Sequence, residues 1–135
     1  MEVDKYNAEG YLDLTPYQAI RNIGRHPYYP LVYICSPYAG DHERNTEAAK
    51  AYSRFAVDNG CIPIAPHLLF PQFMEDEEEA ERVLAMHFGN VLMDKCSEVW
   101  VFGERISEGM AAEIKRAKRK YYRIRYFTED LKEVL

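Results

Sequence analysis

The sequence predicts an α/β fold: a Rossmann-like or flavodoxin-like, mainly parallel sheet with flanking helices, in a single domain. Three observations carry this. Strand-like apolar runs alternate with helical periodicity along most of the chain. Each crossover is long enough to bring the chain back parallel to the strand before it. The 135 residues suit one domain with a core of its own and leave little room for a second.

The elements follow in order. Residues 1–30 read as an N-terminal accessory arm, and residues 31–135 as the α/β domain. Within the arm, Thr15 caps a short helix, Pro16 takes its first turn, Gln18 completes a capping box and Gly24 stops it. Leu31–Ser36 (LVYICS) is apolar without alternation, as a strand buried on both faces requires. A helix is predicted from about His42 to Asn59, with Ala48, Tyr52, Phe55 and Ala56 on one face and Gly60 as its stop. Cys61–Ala65 is the second strand. Pro66–Glu75 is a long apolar loop with two prolines, of the kind that forms lids. Asp76–Lys95 is the next helix, its acidic first turn favoured by the helix dipole. Ser97–Phe102 is the third strand, with Trp100 in the core, and Asp94 just before it is expected to be exposed. Ser107–Lys120 is a helix, Tyr121–Phe127 a fourth strand and Glu129–Leu135 a short closing helix.

Composition excludes several classes. A net charge of −5 argues against a general nucleic-acid binder, which needs an electropositive face. The acidic Glu75–Glu81 and basic Lys115–Arg125 stretches read as solvated helix faces. No apolar run is long enough to span a membrane, and nothing reads as a secretory signal, so the expected location is the cytoplasm. Cys35, Cys61 and Cys96 are odd in number and widely spaced, which fits a reducing compartment rather than a disulfide framework. His26, His42, His67 and His87 show no zinc spacing, and no metal is expected.

Ligands of such sheets bind beyond the carboxyl ends of the strands. Three segments converge there: Ser36–Arg44, Ala65–Phe73 and Phe102–Glu113. In the last, Ser107 is a good N-cap, and the amides of Gly109 and Met110 are free donors at a positive helix end. Gly109 and Glu113 are four apart and share a helix face. Two readings stand open. Bare backbone at Gly109 leaves a gap for a ring, with the Glu113 carboxylate against it; or Gly109 only lets the helix pack closely and Glu113 is solvated.

Ser36, Pro37 and Tyr38 follow the first strand, and lack both the GxGxxG fingerprint and the lysine of a P-loop. They read as a small-ligand loop or an ordinary turn. Arg44 and Asn45 begin the next helix within reach of the same pocket. His67, past the second strand, is either a substrate hydrogen-bonder, with Phe70 and Phe73 stacking on a base, or structural.

Three pieces now resemble the nucleoside 2-deoxyribosyltransferase-like superfamily, including its short bacterial and phage relatives. They are Tyr33-Ile34-Cys35-Ser36-Pro37-Tyr38, Ile62-Pro63-Ile64-Ala65-Pro66-His67, and Val99–Gly103 leading to Ser107-x-Gly109-x-x-x-Glu113. The resemblance covers roughly Leu31–Phe127. It implies an N-glycosidase or 2-deoxyribosyltransferase acting on nucleosides or nucleoside 5′-monophosphates. Glu113 would be the nucleophile and catalytic residue. Ser36, Pro37, Tyr38, Arg44, Asn45, His67, Gly103, Glu104, Ser107, Gly109 and Met110 would bind substrate. No metal or redox cofactor is implied. Relatives are often oligomers, so a homo-oligomer is expected. Transferases of this superfamily usually carry an Asp at the end of the third strand; here the stretch is Phe102-Gly103-Glu104, with Glu104 the candidate substitute. The alternative function is a non-catalytic sensor or sponge for a nucleotide-derived small molecule.

Overall fold

Alternation along one buried strand sets the architecture. In β1 (Leu31–Cys35), Val32 and Ile34 face one side of the sheet while Tyr33 and Cys35 face the other. In β3 (Glu98–Phe102), Trp100 and Phe102 join the first set, and Val99 and Val101 the second. Both strands are buried on both sides, which is why neither alternates in sequence. The structure, a computed structural model, describes residues 28–135. The predicted Thr15 helix start and nearly all of the N-terminal arm lie outside the described residues.

The sheet is ordered β2-β1-β3-β4-β5, with β2 (Ile62–Ile64), β1, β3 and β4 (Arg123–Phe127) parallel and β5 (Glu133–Val134) antiparallel. Strand order reverses between β1 and β3, which opens a crevice above their carboxyl ends. Helix α1 (His42–Asp58) covers one face; the Arg44 amide donates to the Asp41 carboxylate at 3.1 Å and caps it. Its Tyr52 and Ala56 are buried against Trp100 and Phe102, with Ala48 and Phe55 partly buried beside them. Helices α3 (Glu79–Met93) and α4 (Glu108–Arg119) cover the other face, through Met93 from α3 and Met110, Ile114 and Ala117 from α4.

Three expectations need correction. The closing helix over Glu129–Leu135 is instead a turn followed by the two-residue strand β5. Leu131 takes a left-handed φ of 67°, which reverses the chain. The Arg125 guanidinium on β4 then donates to both Glu133 oxygens, at 2.6 and 2.9 Å. The long loop after β2 contains a short helix, α2 (Pro66–Leu69), and a 3-10 turn (Phe70–Gln72). Proline with φ already fixed, Pro66 at the first position of α2 and Pro71 at the second of the 3-10 turn, favours both starts. Helix α3 begins at Glu79 rather than Asp76, because the Glu78 amide closes a turn on the Glu75 carbonyl at 3.1 Å. Among the described residues, no helix is long and apolar enough to cross a membrane.

Candidate active site

A cleft of about 610 Å³ opens at the carboxyl end of β1, between α2, α3 and α4. Glu113, on the second turn of α4, lies on its floor. One carboxylate oxygen, Oε2, accepts a hydrogen bond from the Tyr33 hydroxyl. The other, Oε1, accepts from the Cys35 thiol at 3.5 Å. Both donors come from one face of β1, two residues apart, so strand period and helix turn together place the carboxylate over the strand. Gly89 of α3 lies alongside: a Cβ there would stand 3.4 Å from the Tyr33 hydroxyl.

Burial pushes the Glu113 carboxyl up to about 7, against the hydrogen bonds of Tyr33 and Cys35, which lower it. Burial, and then the Glu113 charge, push the Tyr33 phenol and the Cys35 thiol well above their usual values. Both therefore stay protonated and act as donors. This excludes the reading in which Glu113 is a solvated surface group.

A Cβ at Gly109 would meet nothing within 4 Å, so close packing does not require glycine there. The bare backbone faces the cleft instead, one helical turn above Glu113. Beside it, Ser107 caps α4 by accepting from the Met110 amide at 3.2 Å. Ser36, at the end of β1, is 2% exposed, and its hydroxyl has no partner among the described residues. It also lines the cleft. A buried hydroxyl without a partner is costly and points to a polar ligand or water at that place.

Seven of the predicted site residues line this one cleft: Ser36, Tyr38, His67, Ser107, Gly109, Met110 and Glu113. Met110 is 1% exposed and packs mainly into the core. Pro37, Arg44, Asn45, Gly103 and Glu104 are not among the lining residues. Asn45 shapes the neighbouring loop by donating to the Tyr38 and Ala39 carbonyls at 3.1 and 3.0 Å. Gly103, at φ 93°, turns the chain out of β3. Arg44 and Glu104 are exposed.

The Tyr38 ring stacks against His42 at 4.4 Å and His67 at 4.9 Å between centroids. Phe70 and Met74 supply apolar lining, whereas Phe73 is exposed outside the lining. Burial lowers His67 below its ordinary value, so its imidazole is neutral at pH 7.

Tyr33 and Cys35, which sequence reasoning passed over as core, are the side chains that hold the Glu113 carboxylate. The signal was available: in a strand of alternating faces, two polar tips share one side. Asn90, Arg116 and Asp76 also line the cleft. Arg116 donates to Asp94 at 2.7 and 3.0 Å and to the Asn90 carbonyl at 3.3 Å, tying α4 to the end of α3. Asp94, exposed as expected, is held well below the usual carboxylate range by Arg116 and Tyr122. Among the described residues no three His, Cys, Asp or Glu side chains gather as metal ligands.

The fold is similar to that of a solved 2-deoxyribosyltransferase from the psychrotolerant bacterium Bacillus psychrosaccharolyticus, with a TM-score of 0.60 and 16% sequence identity, over 78% of this chain and 76% of that one. That enzyme is described as a biocatalyst for the synthesis of nucleosides. No curated protein sequence matches the chain significantly. A family model covers residues 30–127, which takes in β1 through β4 and every candidate site residue, and the chain thus belongs to the family described as Domain of unknown function (DUF7768).

Proposed function

We propose that the protein is an N-glycosidase or 2-deoxyribosyltransferase that acts on deoxynucleosides or their 5′-monophosphates through Glu113. The observation that carries this is a carboxylate held by two donors below an open, glycine-backed gap. The likeness of fold to a deoxyribosyltransferase supports it. A Glu113 oxygen attacks the anomeric carbon, and a carbon–oxygen ester bond forms as the glycosidic carbon–nitrogen bond breaks. The electron pair leaves with the base, which takes a proton from water in the cleft. Water, or a second base, then attacks the same carbon and returns the electron pair to Glu113. This is the retaining, double-displacement logic of glycosidases. The α4 N-terminus, Ser107 and the unpartnered Ser36 hydroxyl hold the sugar or its 5′-phosphate.

The test is chromatography of free base after incubation with a panel of deoxynucleosides and deoxynucleoside monophosphates. Base released from at least one of them is expected; none from any, with folded protein, rejects the reading. A non-catalytic sensor or sponge is the second reading, favoured by one observation: Glu104 is exposed and outside the cleft lining. That reading expects a raised melting temperature with the ligand recovered intact.

We also place the protein in the cytoplasm, where its free cysteines, Cys35, Cys61 and Cys96, stay reduced. It works there as a homo-oligomer. Helix α3 leaves Val83, Leu84, Met86 and Val91 exposed, and Met86 also borders the cleft, so a second copy seated there would adjoin the site. A monomer by light scattering would remove that part of the proposal.

A further inference from the structure

The thiol of Cys35 is fully buried, and its recorded polar contacts are Glu113 Oε1 at 3.5 Å and the Met110 carbonyl at 3.9 Å. It serves no disulfide, and among the described residues no metal cluster includes it. The two oxygens of Glu113 are therefore held unequally. Oε2 faces a phenol, a strong donor, whereas Oε1 faces a thiol, a weak one. A weak donor orients an oxygen while withdrawing little of its charge. Each carboxylate oxygen has about two acceptor sites, so Oε1 keeps one free after the thiol contact.

We propose that Cys35 is a positioning residue for Glu113, one that fixes the carboxylate over β1 while leaving Oε1 its more basic, attacking oxygen. In its kinetic consequence this rests on Glu113 being the nucleophile; in its effect on the carboxylate itself it does not.

The other groups around Glu113 belong to separate side chains. Tyr33 from β1 holds Oε2. Arg116, one turn further along α4, is engaged by Asp94 at 2.7 Å. Helix α3 presents Gly89 and the uncharged Asn90, with Glu81 and Arg82 further up it; His67 and Asp76 line the cleft from the other side, as do Glu108, Lys115 and Arg119 from α4. Cys96, partly buried, packs against the same core cluster. Differences among variants at Cys35 thus report the Oε1 contact.

The experiment follows the side-chain carboxyl of Glu113 by carbon-13 NMR across a pH titration, in the wild type, Cys35→Ser and Cys35→Ala. A serine hydroxyl is a stronger donor than a thiol, and alanine donates nothing. The midpoint is expected to fall in Cys35→Ser and rise in Cys35→Ala, each by about half a pH unit. A packing role alone would move both the same way, or neither. Base release in the same variants is expected to show its acid limb shifted in the same order, and Cys35→Ser is expected to lower kcat severalfold at high pH with KM unchanged. Three coincident NMR midpoints overturn the inference. If the midpoints separate while no variant releases base, positioning stands and the glycosidic reading fails. If base is released while the midpoints coincide, the reverse holds. Cys35→Ser is nearly isosteric, so it keeps the test available should Cys35→Ala fail to fold.

Discussion

On the α1 side of the sheet, Tyr52, Phe102 and Phe127 stack ring against ring at 4.3 and 5.0 Å, with Phe55 and Trp100 edged against them. On the opposite side, Tyr33 and Cys35 of the same β1 reach up to a carboxylate under an open cleft. One strand serves both faces. The α1 face is filled by apolar rings and satisfies itself; the α3–α4 face keeps a raised carboxyl, an unpartnered hydroxyl and a glycine facing empty space. Polar groups in this state concentrate on one face, and that is the face on which the proposed chemistry is placed.

The contrast is sharpest for Glu113. Glu113→Gln removes the proposed nucleophile and is expected to lower base release about a thousandfold or more, with secondary structure by circular dichroism unchanged. The mirror experiment lies on the closed face. Phe102 is fully buried, and Phe102→Ala is expected to lower unfolding stability by about 3–5 kcal/mol in a urea titration. Below its unfolding midpoint that variant should retain near-normal turnover. A loss of activity out of proportion to the folded fraction would break the separation between the two faces.

Much of this division was legible in sequence and some of it was not. The unalternating LVYICS and SEVWVF runs gave the buried strands, and Ser107-x-Gly109-x-x-x-Glu113 gave the α4 end of the site. Tyr33 and Cys35 were passed over because a strand buried on both faces looks uniformly apolar; alternation puts their polar tips on one side, but only the pairing with α4 shows that this side meets a carboxylate. Glu129–Leu135 was misread because nothing local announces that Leu131 will take a left-handed turn and Arg125 will bind Glu133. The separation of Arg44 and Glu104 from the cleft depends on where neighbouring loops turn, which residue type alone does not encode.

A smaller effect comes from pH. The folded Glu113 titrates at about 7 rather than the ordinary 4.5, so the folded chain holds a proton that the unfolded chain has lost. Its contribution to stability is complete below about 4.5 and is lost as pH rises through about 7. The loss is roughly 2 kcal/mol after allowance for solvent at the carboxylate. Urea titrations at several pH values should show this slope in the wild type and a flatter one in Glu113→Gln. Equal slopes would mean that the carboxyl is not held as described. The smallest effect is at Gly109. Gly109→Ala is expected to raise stability by up to about 1 kcal/mol while lowering turnover, since the new methyl enters the space over Glu113. Raised stability with undiminished turnover would show that substrate does not use that space.

The most direct test of the double displacement is to quench the wild-type reaction in acid and weigh the peptide that contains Glu113. A nucleoside with fluorine at C2′ suits it, because the electron-withdrawing fluorine destabilises the cationic transition state and prolongs the ester. The account expects the sugar to be found on Glu113 in step with the first base released. Base released with Glu113 unmodified, or with the sugar on another side chain, would contradict it.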